Sequence, residues 1–164
     1  MGDISKNYSY AEFSRSGTAI SKGWDNSIPD KYKANIKTLC TTVLQPINDA
    51  TGWINIISSG YRSKELNKAV GGVDNSHHLI GCAADCNFYK FTNGQRERVS
   101  CEDVMKKVKE LGVPYTQMIP YNEKGFVHIA YTGVSTKTIK MEDPSDGADV
   151  QVVFPTSEVV GQYC

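Results

Sequence analysis

The sequence predicts a single α+β domain with a small, mainly antiparallel sheet flanked by helices. Three observations point to this class. There are short, apolar, β-branched runs that end at turn residues, one hairpin, and longer stretches in which apolar residues recur at helical spacing. The 164 residues suffice for one hydrophobic core and contain no repeat, low-complexity segment or linker. We therefore assign residues 1–164 to one domain.

Four helices are expected from periodicity and capping residues. The clearest begins at Asp30 after Pro29 and repeats apolar residues at helical spacing, and Pro46 is expected to kink or end it. Serines supply start signals for the third and fourth helices, and glycines end them. The stretch between the first helix and Pro29 is polar and is expected to be a loop. The predicted helices cover residues 8–13, 30 to about 46, 63–69 and 100–111.

The strands are indicated by apolar, β-branched runs. The predicted core strands cover residues 53–57, 82–89, 115–119 and 125–131, and the last two form a hairpin. Beyond Tyr131 the pattern weakens, and residues 132–164 are expected to be a C-terminal extension with two added strands, 136–141 and 150–154. The acidic stretch 143–149 lacks the spacing of a calcium-binding loop and is interpreted as a solvated turn.

The stretch Ser76-x-His78-x-x-Gly81-x-Ala83-x-Asp85 carries the chemistry. A turn at Gly81 allows His78 to approach a strand on which Ala83 and Asp85 point to the same side, because side chains alternate with period two. Imidazole and carboxylate together suit zinc. His128, on an apolar strand-like run, is the candidate third ligand, although a histidine in such a run is more often a core residue.

Neighbouring residues offer other metal donors, and these are interpreted differently. Cys82 and Cys86 flank Asp85 but share the opposite strand face, so we expect small buried thiols rather than ligands. His77 is expected to be solvated or to lie behind the ligands. The five cysteines are expected to be reduced.

Composition excludes several classes of function. Eighteen basic and eighteen acidic residues give a formal net charge of zero, which argues against a nucleic-acid-binding protein. No apolar run is long enough to span a membrane. The N-terminus lacks an apolar signal core, so we expect a protein that is cytoplasmic at synthesis. We also expect it to be a monomer.

Further motifs point to a family. Ser59-Gly60-Tyr61-Arg62-Ser63 lies upstream of the His78 motif, with Leu66-Asn67 and Val70-Gly71-Gly72 between them. Because these motifs occur in this order, the chain resembles, over residues 8–131, the zinc D-Ala-D-Ala carboxypeptidases, which are hedgehog/DD-peptidase-like metallopeptidases. The resemblance implies that fold, and it implies one Zn²⁺ held by His78, Asp85 and His128.

The resemblance also implies the substrate, the stem peptides of peptidoglycan. By the resemblance, Arg62 would bind a peptide carboxylate or an oxyanion. Ser76 would hold the substrate or orient His78, and Gln117 would contact the substrate or support the hairpin. Tyr61, beside Arg62, is a further candidate for substrate binding.

The general base is the point at which the sequence departs from the family. Many members carry a pattern like Gln-Leu-Ile-x-Glu, with the Glu six residues before the closing histidine. Here Tyr121 occupies the aligned position, counted from Gln117, and Glu123 is the only carboxylate of the hairpin. Because a phenol is a poor base at neutral pH, we interpret Glu123 as the general base, against the alternative of an exposed hairpin charge.

Several functions stay open at this point. The chain would be a D,D-carboxypeptidase or an endopeptidase that cuts between L-Ala and D-Glu, either as a phage endolysin or as a bacterial enzyme. The alternatives are a catalytically inactive member that serves as a binding or phage structural protein, and an α+β domain with accidental histidines.

Overall fold

The computed structural model describes residues 2–142 and 149–153, with side chains over 2–140, and confirms the α+β class. The helices are α1 (Tyr10–Ser14), α2 (Gly17–Lys22), α3 (Asp30–Leu39), α4 (Gln45–Thr51), α5 (Lys64–Ala69) and α6 (Cys101–Leu111). The strands are β1 (Ile54–Ser59), β2 (Ala83–Thr92), β3 (Gln95–Arg98), β4 (Gln117–Tyr121), β5 (Phe126–Ala130), β6 (Thr138–Glu142) and β7 (Asp149–Val153).

The longest helical stretch does not end at Pro46. Helix α3 continues through a π-helical turn, Cys40–Leu44, into α4, which ends at Gly52 in the left-handed conformation. Proline has no N–H to donate to the carbonyl four residues earlier, and the wider π turn just before Pro46 accommodates this loss. Helix α2 lies where the sequence predicted a loop, and the short strand β3 lies in a stretch to which no element was assigned.

The sheet has the order β1-β2-β5-β4-β6-β7, with β3 paired to β2. All pairs are antiparallel except β4 with β6, so the prediction of a mainly antiparallel sheet is confirmed. The predicted hairpin is formed by β4 and β5, and β6 and β7 correspond to the two added strands. The acidic stretch 143–148 and residues 154–164 lie outside the described residues.

The two faces of the sheet have different roles because side chains alternate along each strand. On β2, Ala84, Cys86 and Phe88 pack into the hydrophobic core against α3, α4 and α6, together with Met118, Val127 and Ile129 of the neighbouring strands. The opposite face carries Asp85 and His128, which are partners in the β2–β5 register. In the part of the chain described, no helix is long and apolar enough to cross a membrane.

Gly60 joins β1 to the site and packs against the backbone of α1. A Cβ built at Gly60 would lie 2.6 Å from the Cα of Phe13 and 2.7 Å from its ring. Because backbone cannot move aside cheaply, Gly60→Ala is expected to lower the free energy of unfolding by about 1–3 kcal/mol in chemical denaturation.

Gly17→Ala is the matched control for that substitution. Gly17 opens α2 with nothing within 4 Å of the added Cβ. The control should therefore change the free energy of unfolding by less than about 0.5 kcal/mol. Equal stability of the Gly60 variant and the Gly17 variant would contradict the close packing of Gly60 on Phe13.

Candidate metal centre

Three side chains from separate segments converge on the open face of the sheet. Asp85 comes from β2, His128 from β5, and His78 from a 3₁₀ turn, His77–Ile80, and all three are buried. Nε2 of His78 lies 3.2 Å from Oδ1 of Asp85 and 3.2 Å from Nδ1 of His128, and the latter two atoms are 3.1 Å apart. In tetrahedral zinc sites with bonds of about 2.0–2.1 Å, neighbouring donor atoms are about 3.3 Å apart. The triangle therefore has the dimensions of three zinc ligands.

The protonation of the three groups also fits a metal ion. Nδ1 of His78 donates to the carbonyl of Gly60 at 2.6 Å, and burial lowers the pKa of His78, so its Nε2 carries a lone pair. Arg62, which pairs with the other oxygen of Asp85 at 3.4 Å, favours the ionised form of this carboxylate. The His78 nitrogen and the Asp85 oxygen thus face each other as two acceptors. A bound cation satisfies both of them, with Gly60 fixing the ring orientation of His78.

The segment after β1 holds His78 in two ways. The ring of His78 donates a hydrogen bond to the Gly60 carbonyl, and the carbonyl of His78 accepts one from the backbone N–H of Arg62 at 3.0 Å. The Oγ of Ser76 caps the 3₁₀ turn by accepting a hydrogen bond from the His78 N–H at 3.2 Å. The motif around Gly60 and the motif around His78 are therefore joined in space.

Arg62 lies beside the carboxylate ligand and is anchored on three sides. Its guanidinium donates to Oγ of Ser59 at 2.9 Å, to Oδ1 of Asn67 at 3.1 Å and to Oδ2 of Asp85 at 3.4 Å. A Cβ at Gly72 would lie 2.1 Å from Oδ1 of Asn67, so only glycine leaves room for this arrangement. Arg62 thus supports the local structure as well as facing the cavity, and Asn67 is a supporting residue to which the sequence analysis gave no role.

A cavity of about 670 Å³ opens over the three ligands. Among the described residues that line it, Asp85 is the only carboxylate, and three side chains are cationic: Arg62, Lys124 and Lys140. Tyr121 also lines the cavity, where its ring stacks on Phe126 with the centroids 4.6 Å apart. Neither lysine belongs to one of the sequence motifs described above.

The candidate substrate-binding residues divide into two groups. Ser76 and Gln117 line the cavity, and both are buried. Tyr61 does not line it, because its ring packs in the core with its centroid 6.1 Å from that of Tyr32. This placement speaks against contact between Tyr61 and a substrate in the cavity.

Glu123 lies in the turn between β4 and β5, where it is exposed and does not line the cavity. Tyr121 reaches the cavity instead, because it pairs with Phe126 and shares its sheet face with His128. The structure thus does not bring Glu123 to the metal ligands, and this placement does not support the predicted role of Glu123 as general base.

His77 is not solvated, so that part of the expectation is wrong. It is 1 % exposed, its ring centroid lies 6.4 Å from that of His128, and a hydrogen bond joins it to the side chain of Gln117. Burial, with a smaller contribution from the other two histidines, lowers the pKa of His77 to about 3. His77 is therefore a neutral ring beside His128, and it is one of the residues that line the cavity described above.

The cysteines beside Asp85 behave as buried apolar groups. Burial raises the pKa of Cys82 to about 11 and that of Cys86 to about 12, so neither offers a thiolate at neutral pH. Cys86 points into the core. Among the residues described, the group that could hold a metal ion is His78, Asp85 and His128, without a cysteine.

Comparison with known proteins places the chain in a family. The model of the family Peptidase M15 matches residues 6–130, more than half of the chain. The chain belongs to the M15 peptidase family. This family comprises the zinc D-Ala-D-Ala carboxypeptidases, so the resemblance seen in the sequence is confirmed, and its members are zinc-dependent metallopeptidases. A search of curated proteins found no match.

Zinc binding by the three residues can be tested directly. We expect close to one zinc per chain in protein prepared without chelator, measured by elemental analysis, and loss of most of it in His78→Ala, Asp85→Ala and His128→Ala, because two remaining ligands bind zinc weakly.

His77→Gln is the matched control for zinc binding. It removes an adjacent buried imidazole that is not part of the triangle, and it should keep the metal. Equal zinc content in the wild type and in all three ligand variants would place the metal elsewhere.

Proposed function

We propose that this chain is a zinc-dependent peptidase that hydrolyses the stem peptides of peptidoglycan. The observation that carries the proposal is the triangle of donor atoms from His78, Asp85 and His128 on the floor of a cavity, in a chain of the M15 family. Three protein ligands leave the fourth zinc position open, as in catalytic rather than structural sites.

The roles of the surrounding residues follow from their positions. When bound, zinc supplies an acidified water molecule and polarises the carbonyl of the scissile bond. Arg62, held by Ser59 and Asn67, presents a fixed positive charge to a substrate carbonyl or carboxylate. Ser76 and Gln117 are proposed to contact the peptide where they line the cavity.

Hydrolysis is tested with defined muropeptides and the zinc-loaded protein. We expect cleavage that stops when a chelator is added and is lost in His128→Ala, with products read by mass spectrometry. Release of a terminal D-Ala would identify a carboxypeptidase, and release of L-Ala from D-Glu would identify an endopeptidase. Clearing of isolated cell walls tests a lytic role. Absence of cleavage in all substrates, with zinc bound, would reject the proposed hydrolysis.

A second candidate function is zinc-dependent peptide binding with little or no hydrolysis. The observation that favours it is the absence of any carboxylate other than Asp85 among the described residues that line the cavity. A general base contributes typically about 10²–10⁴-fold to the rate. With Tyr121 at the cavity position where many relatives carry Glu, the chain would bind the same peptides but cut them slowly.

Two variants separate these candidates. Because Glu123 lies outside the cavity, Glu123→Gln is expected to keep hydrolysis within about threefold of wild type, whereas Tyr121→Glu should raise it at least about tenfold by placing a carboxylate in the cavity.

Zinc content should be unchanged in both variants, which serves as their common control. A fall of about a hundredfold in Glu123→Gln, with zinc retained, would restore Glu123 as the general base and would require the hairpin turn to fold inward.

A further inference from the structure

The cavity concentrates positive charge in a chain whose formal net charge is zero. Arg62, Lys124 and Lys140 line it, and Asp85 is the only carboxylate among its described lining residues. Arg62 is paired with Asp85. Among the side chains described, residues 2–140, neither lysine lies within ion-pair distance of a carboxylate. Such a local excess of one sign attracts ligands of the opposite charge.

Lys140 comes from β6, beyond residues 6–130 that match the family model. Strand β6 runs parallel to β4, with Met118 beside Ile139, so Lys140 follows beside Ile119. Ile119 is in turn the partner of His128 across the β4–β5 hairpin. Lys140 therefore lies on the same sheet face as the ligands, and its side chain is half-buried in the cavity wall.

Lys140 and Arg62 lie on opposite sides of the metal ligands. Arg62 follows β1 and contacts Asp85 on β2, whereas Lys140 is on β6, and β5 and β4 lie between β2 and β6. Two strand spacings of about 4.8 Å separate β5 from β6, so the backbones of His128 and Lys140 are about 10 Å apart. An extended peptide advances about 3.4 Å per residue, so a group within about three residues of the scissile bond can reach Lys140.

We infer that Lys140 is a specificity-determining residue that binds a carboxylate of the substrate, on the side of the metal site opposite Arg62. The inference rests on the proposed function for the identity of the substrate. In stem peptides, D-Glu is joined through its γ-carboxyl group and keeps a free α-carboxylate, or carries a carboxamide in amidated walls. Lys140 would select the free acid over the amide at one such position.

The test uses a stem pentapeptide with lysine at its third position, which leaves two carboxylates: that of D-Glu and that of the terminal D-Ala. Two derivatives carry a carboxamide in place of one or the other. Calorimetry measures the binding of all three peptides to zinc-loaded wild type, Lys140→Gln, Lys140→Arg and Lys106→Gln. Where a protein cleaves the peptides, the ratio of their kcat/KM values takes the place of the ratio of their affinities. Lys106 is exposed on α6 and does not line the cavity, so its variant controls for the loss of one charge.

One of the two carboxamide derivatives is expected to bind the wild type about fivefold more weakly than the free acid does. The Lys140→Gln variant should bind that derivative and the free acid equally well. Lys140→Arg should keep the preference, because the charge is retained, and Lys106→Gln should behave as wild type. The inference would be overturned if Lys140→Gln kept the preference of the wild type for the free acid, so that the effects of amidation and of the substitution were additive. It would also be overturned if no peptide bound.

Cleavage assays on the same peptides separate this inference from the proposed function. A wild type that binds with a preference dependent on Lys140 but cuts none of the peptides would refute the hydrolysis and leave the role of Lys140 intact. A wild type that cuts them, with a preference unchanged in Lys140→Gln, would refute the role of Lys140 alone.

Discussion

The buried carboxylate of Asp85 is the constraint on which the rest of the site depends. A buried charge is costly unless other charges and hydrogen bonds compensate it. One oxygen of Asp85 faces the two imidazoles of His78 and His128, and the other accepts from Arg62. Arg62 is held in turn by Asn67, whose position requires a residue without a side chain at 72. The interactions that compensate the buried charge of Asp85 thus extend from the sheet to the loop after α5.

The pleat of β2 separates this polar site from the core. Ala84 and Cys86 are packed among apolar side chains, while Asp85 between them faces His78 and His128. Neighbouring residues of β2 therefore lie in opposite environments. Helices α3, α4 and α6 pack on the apolar face, and the cavity opens on the other face. A sheet covered by helices on one face therefore provides both a stable core and an accessible metal site. The thiol of Cys86 stays protonated because it is on the core side.

Regular alternation explains which parts of the site the sequence predicted. Asp85 and His128 lie on uninterrupted strands, so their side-chain directions followed from the period of two. Tyr61 follows β1, whose register shifts between Ile57 and Ser59, and after such an irregularity the alternation no longer gives the direction of a side chain. Lys140 lies on a strand with no accompanying motif, and only its parallel pairing with β4 brings it to the cavity.

The same alternation determines what the hairpin offers to the cavity. Gln117, Ile119 and Tyr121 alternate along β4 and all line the cavity, and a longer turn beyond them cannot change these directions. The residue at position 121 therefore sets the chemistry at that point, and a phenol with a pKa near 10 accepts protons poorly at neutral pH. Glu123, in the turn, is exposed to solvent. Among the described residues, the cavity has its three metal ligands and its cationic side chains but no carboxylate besides Asp85. The groups that would bind an anionic peptide are therefore more complete than the groups that would transfer a proton.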